Sequence, residues 1–259
     1  MTTLGPAAQW HNARSVQRLE ARMLNEQQTL ITDTARRFVR EQIVEPRLDR
    51  ALDRSAEFPH DILRALWEQG LVNLEFPEAV GGQGLSCHDH CLVLEEINYG
   101  CLGIGTSAVA NSLAALPLIL CDNEAARREF LGRLVEAHGY AAFALNGRKR
   151  WITNADVADF YVVFAREQGS RGHQGIGAVV VEAGTPGLRW ESLVDKLGQR
   201  CSHTCDVVFE DVEVPVANLI AGPQHGFRLA MATFDRSRPW IAAGAAGVIR
   251  RARDEAVAY

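Results

Sequence analysis

The sequence predicts an α+β fold in three successive regions. An N-terminal α-helical domain covers residues 24–139, a middle antiparallel β domain covers 140–222, and 223–259 form the first helix of a truncated C-terminal helical domain. Three observations carry this expectation. Apolar residues recur at helical spacing in the first region, come in short β-branched and aromatic runs in the second, and return to an Ala-rich helical pattern in the third.

The elements follow in order. Asn25 with Gln28 three residues later has the form of a capping box, and Leu30, Ile31, Ala35, Phe38 and Val39 then share one helical face. Pro59 suits a helix start, with an apolar stripe of Ile62, Leu63, Leu66 and Trp67 before the stop at Gly70. Gly81, Gly82 and Gly84 make a loop. Ser86 caps the next helix, with Asp89 in its first turn and Gly100 at its end. Residues 101–121 are apolar enough to suggest a membrane span, but Gly103, Gly105, Asn111 and Pro117 favour a buried helix. Asp122 or Asn123 caps an Arg- and Glu-rich helix that ends at Gly139.

Strands are expected over 140–145, 160–165, 176–181 and 206–212, and Asn146-Gly147 suits a two-residue hairpin turn. In the last region Pro239 starts or kinks a helix. That helix reaches Tyr259 with nothing after it to cover Ile241, Val248 and Val257. Residues 1–23 read as a disordered leader.

Charge narrows the function. The net charge of -5 argues against nucleic acid as a partner, which usually demands a basic face. Six cysteines without a secretory signal read as reduced thiols. The setting expected is a bacterial cytoplasm, with a mitochondrial matrix as the alternative suggested by Arg14, Arg18 and Arg22.

Four segments invite chemical readings. Cys87-His88-Asp89-His90-Cys91 holds zinc-type ligands, but adjacent residues on one helix cannot converge on a tetrahedral ion, so no metal site is expected. Gly81-Gly82-Gln83-Gly84 lacks the flanking strand and Lys-Ser/Thr of a phosphate loop. Trp151-Ile152-Thr153 sets an indole beside a hydroxyl, an arrangement that fits a core Trp at a strand end or one that stacks on a planar ring while hydrogen-bonding it. Phe234-Asp235-Arg236-Ser237-Arg238-Pro239 sets an acid beside two guanidinium groups, which form either a surface salt-bridge cluster or a dock for a phosphate or carboxylate.

Taken together, these segments resemble the acyl-CoA dehydrogenase family, most like its medium-chain type. The resemblance runs from Leu24 to Tyr259 through Pro77-Glu78, Glu95-Glu96 with Tyr99-Gly100-Cys101, Asn146-Gly147 to Asn154, Gly198-Gln199-Arg200-Cys201-Ser202, and Phe234-Asp235 with Arg238-Pro239. It implies FAD-dependent α,β-dehydrogenation of an acyl-CoA thioester, as in fatty acid β-oxidation. Electron-transfer flavoprotein would be the acceptor and a homo-oligomer the assembly. It also implies that Phe143, Ala144 and Leu145 bring backbone to the flavin, that Trp151, Ile152 and Thr153 lie against its ring, and that Phe234, Asp235 and Arg238 meet the CoA moiety.

Two departures from the family pattern stand out. The Thr-Glu-Pro-Gly-Ala-Gly-Ser-Asp loop and one strand that follow the match to residues 141–145 are missing, because Leu145 meets Asn146 directly. The Arg-Lys-Thr-Phe-Gly continuation, with the helices that usually carry the catalytic glutamate, does not follow Tyr259. The other base position in the family is filled here by Ser237, which cannot act as a carboxylate. The expectation is therefore that the lone chain has no catalytic base and no dehydrogenase activity. The alternatives are a non-enzymatic relic that binds a full-length relative, and another acyl-CoA-using flavoenzyme of the same fold.

Overall fold

The computed structural model describes residues 24–145 and 148–259. The expected leader and the Asn146-Gly147 turn lie outside the described residues. Helices α1 (Glu26–Val39), α2 (Leu48–Ser55), α3 (His60–Glu68), α4 (Cys87–Gly100), α5 (Leu102–Leu120) and α6 (Glu124–Glu136) come first. Seven strands follow: β1 (Ala141–Leu145), β2 (Lys149–Thr153), β3 (Phe160–Arg166), β4 (Ile176–Glu182), β5 (Leu188–Leu193), β6 (Thr204–Phe209) and β7 (Leu219–Ala221). One long helix, α7 (Gly226–Ala258), closes the chain.

Local chemistry explains the helix starts. Asn25 accepts from the Gln28 N–H at 2.8 Å while Gln28 accepts from the Asn25 N–H, so two backbone donors are satisfied reciprocally. Ser86 and Asp89 form a second box ahead of α4, and Asn123 caps α6 by accepting from the Ala126 N–H. The apolar helix α5 is long enough to cross a bilayer by length and composition, and 72% of its most apolar window is buried inside the fold. Its abundance of Ala, Gly and Ser lets neighbours approach closely. A Cβ on Gly103 would stand 2.5 Å from the Cys201 sulfur.

The strands make two sheets, one ordered β1-β3-β4-β7 and one ordered β2-β6-β5. The antiparallel expectation holds for every pair except one: β1 and β3 run parallel, with Ala141 opposite Phe160 and Leu145 opposite Phe164. Nor do β1 and β2 form a hairpin, since they belong to different sheets. The reason lies in burial. Ala141, Phe160, Val162 and Phe164 face the helical core, whereas Ala142, Ala144, Tyr161 and Val163 face the second sheet. Strands covered on both faces read as unbroken apolar runs, and such strands are the usual members of parallel pairs.

α7 begins well before Pro239 and runs through it, so Pro239 does not start the helix. Its dominant neighbour is α4. Gly247 is required there, because a Cβ would stand 2.1 Å from the Glu95 carbonyl oxygen. Arg250 pairs with both Glu95 and Glu96, and Glu96 is buried between Arg250 and Arg36 of α1. These charges tie the last helix to the first. Ile241, Ile249 and Val257 remain exposed along α7.

Candidate functional site

β2 carries an irregularity at its centre. Lys149 lies opposite Val207 and Ile152 opposite Cys205, so β2 advances one residue more than β6 between these pairs, the count of a β-bulge. Trp151 sits in that bulge with φ at 61°, a left-handed conformation that is strained for a bulky side chain. The result is an indole that is 67% exposed. The Arg150 guanidinium lies 5.5 Å from its ring centroid and pairs with the buried Asp206 at 3.3 Å. Ile152 packs into the core between the sheets. Thr153, two residues beyond Trp151, pairs with Thr204, and its hydroxyl has no hydrogen-bond partner among the described residues. Local strain that displays an aromatic face, beside an unclaimed hydroxyl, fits a planar ring with a polar edge.

Of the three β1 residues expected at the same ring, Ala144 is fully buried between the sheets, and Phe143 points to the opposite face. Leu145 pairs through its backbone with Phe164, and its side chain lies outside the described residues. Phe143 meets Phe164 with centroids 5.3 Å apart and Phe234 of α7 at 5.8 Å. The structure thus joins a residue expected at the cofactor to one expected at the substrate.

On α7, Arg238 and Asp235 form an exposed ion pair at 2.7 Å. Ser237 is buried, and its hydroxyl donates to the Phe234 carbonyl at 3.2 Å. Next to these residues a groove opens between α5 and α7. Its smaller lobe, about 310 Å³, is bounded by Leu113, Phe234, Ser237 and Arg238. Its larger lobe, about 540 Å³, extends past Leu94, Leu102, Gly244 and Val248. Val109, Trp240 and Ile241 belong to both lobes. No Asp or Glu lines either lobe among the described residues.

Sequence reasoning missed Trp240 and the charge beneath it. Trp240 is 1% exposed and donates its indole N–H to Glu75 Oε1 at 2.8 Å. The same oxygen is 3.0 Å from His90 Nδ1, and Oε2 accepts from Arg236 at 2.9 Å. Burial alone would raise the Glu75 carboxyl, but hydrogen bonds and charge from His90 and Arg236 outweigh it and hold the group below the usual carboxylate range. His90, part of the zinc-like run, is therefore turned inward to a carboxylate. One signal was available: Trp240, Gly244 and Val248 recur every fourth residue on one face of α7.

A thiol pair lies near the larger lobe. Cys101 is the N-cap residue of α5, with no side-chain capping hydrogen bond, and its thiol is coupled to that of Cys201. The Cys201 hydrogen bond leads burial in effect and holds the Cys101 thiol below its ordinary value, while Cys201 is pushed up.

Comparison with known proteins places these features in one lineage. Family profiles match in series: "Acyl-CoA dehydrogenase, N-terminal domain" over residues 25–138, "middle domain" over 131–212 and "C-terminal domain" over 224–259. The chain is 33% identical to a probable medium-chain specific acyl-CoA dehydrogenase 2 of Caenorhabditis briggsae, with 91% of this chain and 64% of that protein aligned. It is 32% identical to the probable acyl-CoA dehydrogenase YngJ of Bacillus subtilis, with 91% and 69% aligned. Among solved structures, butyryl-CoA dehydrogenase from Megasphaera elsdenii superposes with a TM-score of 0.84 at 30% identity, covering 91% of this chain and 69% of that one. A structure reported as an electron transferring flavoprotein of Acidaminococcus fermentans gives a TM-score of 0.85 at 33% identity, covering 91% and 68%. The chain thus spans about two thirds of the length of the proteins it matches.

Proposed function

The chain belongs to the acyl-CoA dehydrogenase family, and from that premise we propose that it holds FAD on β2 and an acyl-CoA thioester along the groove between α5 and α7. One observation carries the reading: an apolar groove leads away from Phe234 and Arg238, so the interior suits a hydrocarbon chain, and the Arg238 guanidinium, paired on one side with Asp235, offers its other N–H donors to a phosphorylated carrier. The β2 bulge supports the cofactor assignment. Trp151 would stack on the isoalloxazine, and Thr153 would hydrogen-bond its edge. When bound, FAD supplies the electron-accepting chemistry of α,β-dehydrogenation. The residues of this chain bind, orient and exclude water. An electron-transfer flavoprotein is the acceptor this reading favours, in keeping with the Acidaminococcus fermentans structure.

Removing an α-proton needs a positioned base, and losing one forfeits roughly two to four orders of magnitude in rate. No carboxylate lines the groove among the described residues, and the Ser237 hydroxyl is tied to the helix backbone. The chain on its own therefore binds substrate without oxidising it. The experiment is to load the purified chain with FAD, remove the excess by gel filtration, and record the visible spectrum before and after adding butyryl-CoA or octanoyl-CoA. Retained flavin whose spectrum is perturbed but not bleached is expected. Bleaching would overturn the inactivity, and a flavin-free protein would overturn the cofactor assignment.

A further inference from the structure

We propose that Cys101 and Cys201 form a modifiable dithiol, which takes a low-molecular-weight disulfide as its substrate and ends as an internal disulfide tying the α4–α5 junction to the loop between β5 and β6. The proposal stands apart from the acyl-CoA reading and needs no flavin. Both thiols are free, and both line one groove of about 590 Å³, beside Leu102, Gly103, Gln199 and Arg251. The Cys201 sulfur lies against the first turn of α5, since a Cβ on Gly103 would stand 2.5 Å from it. Thr106 of α5 donates to Gln199 at 2.7 Å, so the loop that carries Cys201 is held on the same helix. The two side chains also pack in one apolar cluster with Ile97 and Ile104.

Position divides the work between them. Cys101 is partly exposed and stands at the N-terminus of α5, where the helix dipole favours a thiolate. Its hydrogen bond with Cys201 outweighs burial and brings it down to about 7. Cys201 is 1% exposed, out of reach of a reagent but beside the sulfur that meets one. In the first step the Cys101 thiolate bonds to one sulfur of the external disulfide, breaks its S–S bond and releases one thiolate. In the second the Cys201 sulfur bonds to Cys101 and gives up its proton, and the other half of the reagent departs as a thiol. Two protein thiols are oxidised, and one external disulfide is reduced to two thiols. The first step also readies the second. Cys201 is pushed up by its hydrogen bond to Cys101, by burial and by the Cys101 charge, and a mixed disulfide on Cys101 removes the first and the last of these. Cys87 and Cys91 sit one turn apart on α4, but burial leads in pushing both up, so neither is ready to attack at neutral pH.

The test is treatment of the full chain with oxidised glutathione at about pH 7, then an acid quench, intact mass and peptide mapping without reductant. The expected product has lost two hydrogens, carries no glutathione and yields peptides joined through Cys101 and Cys201. That bridge should form at least about tenfold faster than any between Cys87 and Cys91. Dithiothreitol should return both thiols. Cys201→Ser should slow the reaction and stop it with glutathione on Cys101, and Cys101→Ser should leave Cys201 unmodified. The unaltered chain decides the matter by itself if either variant fails to fold. Glutathione that stays on Cys101 of the unaltered chain, a bridge formed at Cys87 and Cys91 instead, or survival of both thiols overturns the dithiol. Each of these outcomes leaves the flavin and thioester readings where they stand.

Discussion

Trp151 and Trp240 stand on the two parts of the candidate site and are held in opposite ways. Trp240 is buried at 1% exposure, locked by a charged network that reaches from the loop before α4 to α7. Trp151 is 67% exposed, and it is displayed by a backbone distortion with no packing to require it. The contrast separates two uses of the same side chain. One is part of the fold and shapes a cavity from within. The other is strained within the fold, and on the proposed reading a bound flavin would cover it.

The sharpest way to break this contrast is to remove the lock. Glu75→Ala strands Arg236, His90 and the Trp240 N–H in a buried setting, and should lower stability by about 3–5 kcal/mol in urea titration. A loss under 1 kcal/mol would mean the network holds nothing. Acid should act on the same lock. Glu75 is held low in the folded state, so its contribution is present above the ordinary carboxylate range near pH ~4 and is lost as pH falls through the folded value. Glu75→Gln should flatten that acid limb of the stability profile.

A smaller effect of opposite sign is expected at His203. Its hydrogen bond to Asp156 raises it above the usual histidine value against the cost of burial, and it also bonds the Ala56 carbonyl. That stabilisation is complete below about pH 6.5 and is lost as pH rises through the folded value. His203→Gln should remove the alkaline step and leave the acid limb unchanged in thermal scans at stepped pH.

Trp151 should behave in the reverse manner from Trp240. Trp151→Gly relieves the left-handed strain, so stability should change by less than about 1 kcal/mol or rise. FAD affinity, read by fluorescence quenching, should fall roughly three- to tenfold, the scale of one aromatic stack. Marked destabilisation with unchanged flavin affinity would make Trp151 a packing residue after all. The smallest expected effect concerns the thiols. Cys101 should be alkylated at lower pH than Cys91 or Cys205, both pushed up to about 12 first of all by burial, and Cys201→Ser should slow it. Peptide mass mapping after brief iodoacetamide treatment at pH 7 would show the order.

Much of the architecture was legible because it depends on short-range chemistry. The boxes at Asn25–Gln28 and Ser86–Asp89, the Asn123 cap and the helix-sheet-helix order all follow from neighbours within a few residues. The site was legible in part. Trp151, Thr153, Phe234 and Arg238 stood out by residue type and by family resemblance. The groove did not, because it joins residues more than a hundred positions apart, such as Leu102 and Val248.

By itself the sequence determined the helical caps, the covered character of α5 and the three-region order, since periodicity and capping are properties of adjacent residues. Only the tertiary structure decided that β1 runs parallel to β3, that the indole of Trp151 is turned outward by a bulge, and that Glu75, His90, Arg236 and Trp240 converge. Each of these depends on which surfaces meet across long stretches of chain. Burial on both faces, register and charge pairing exist only once those surfaces are in contact.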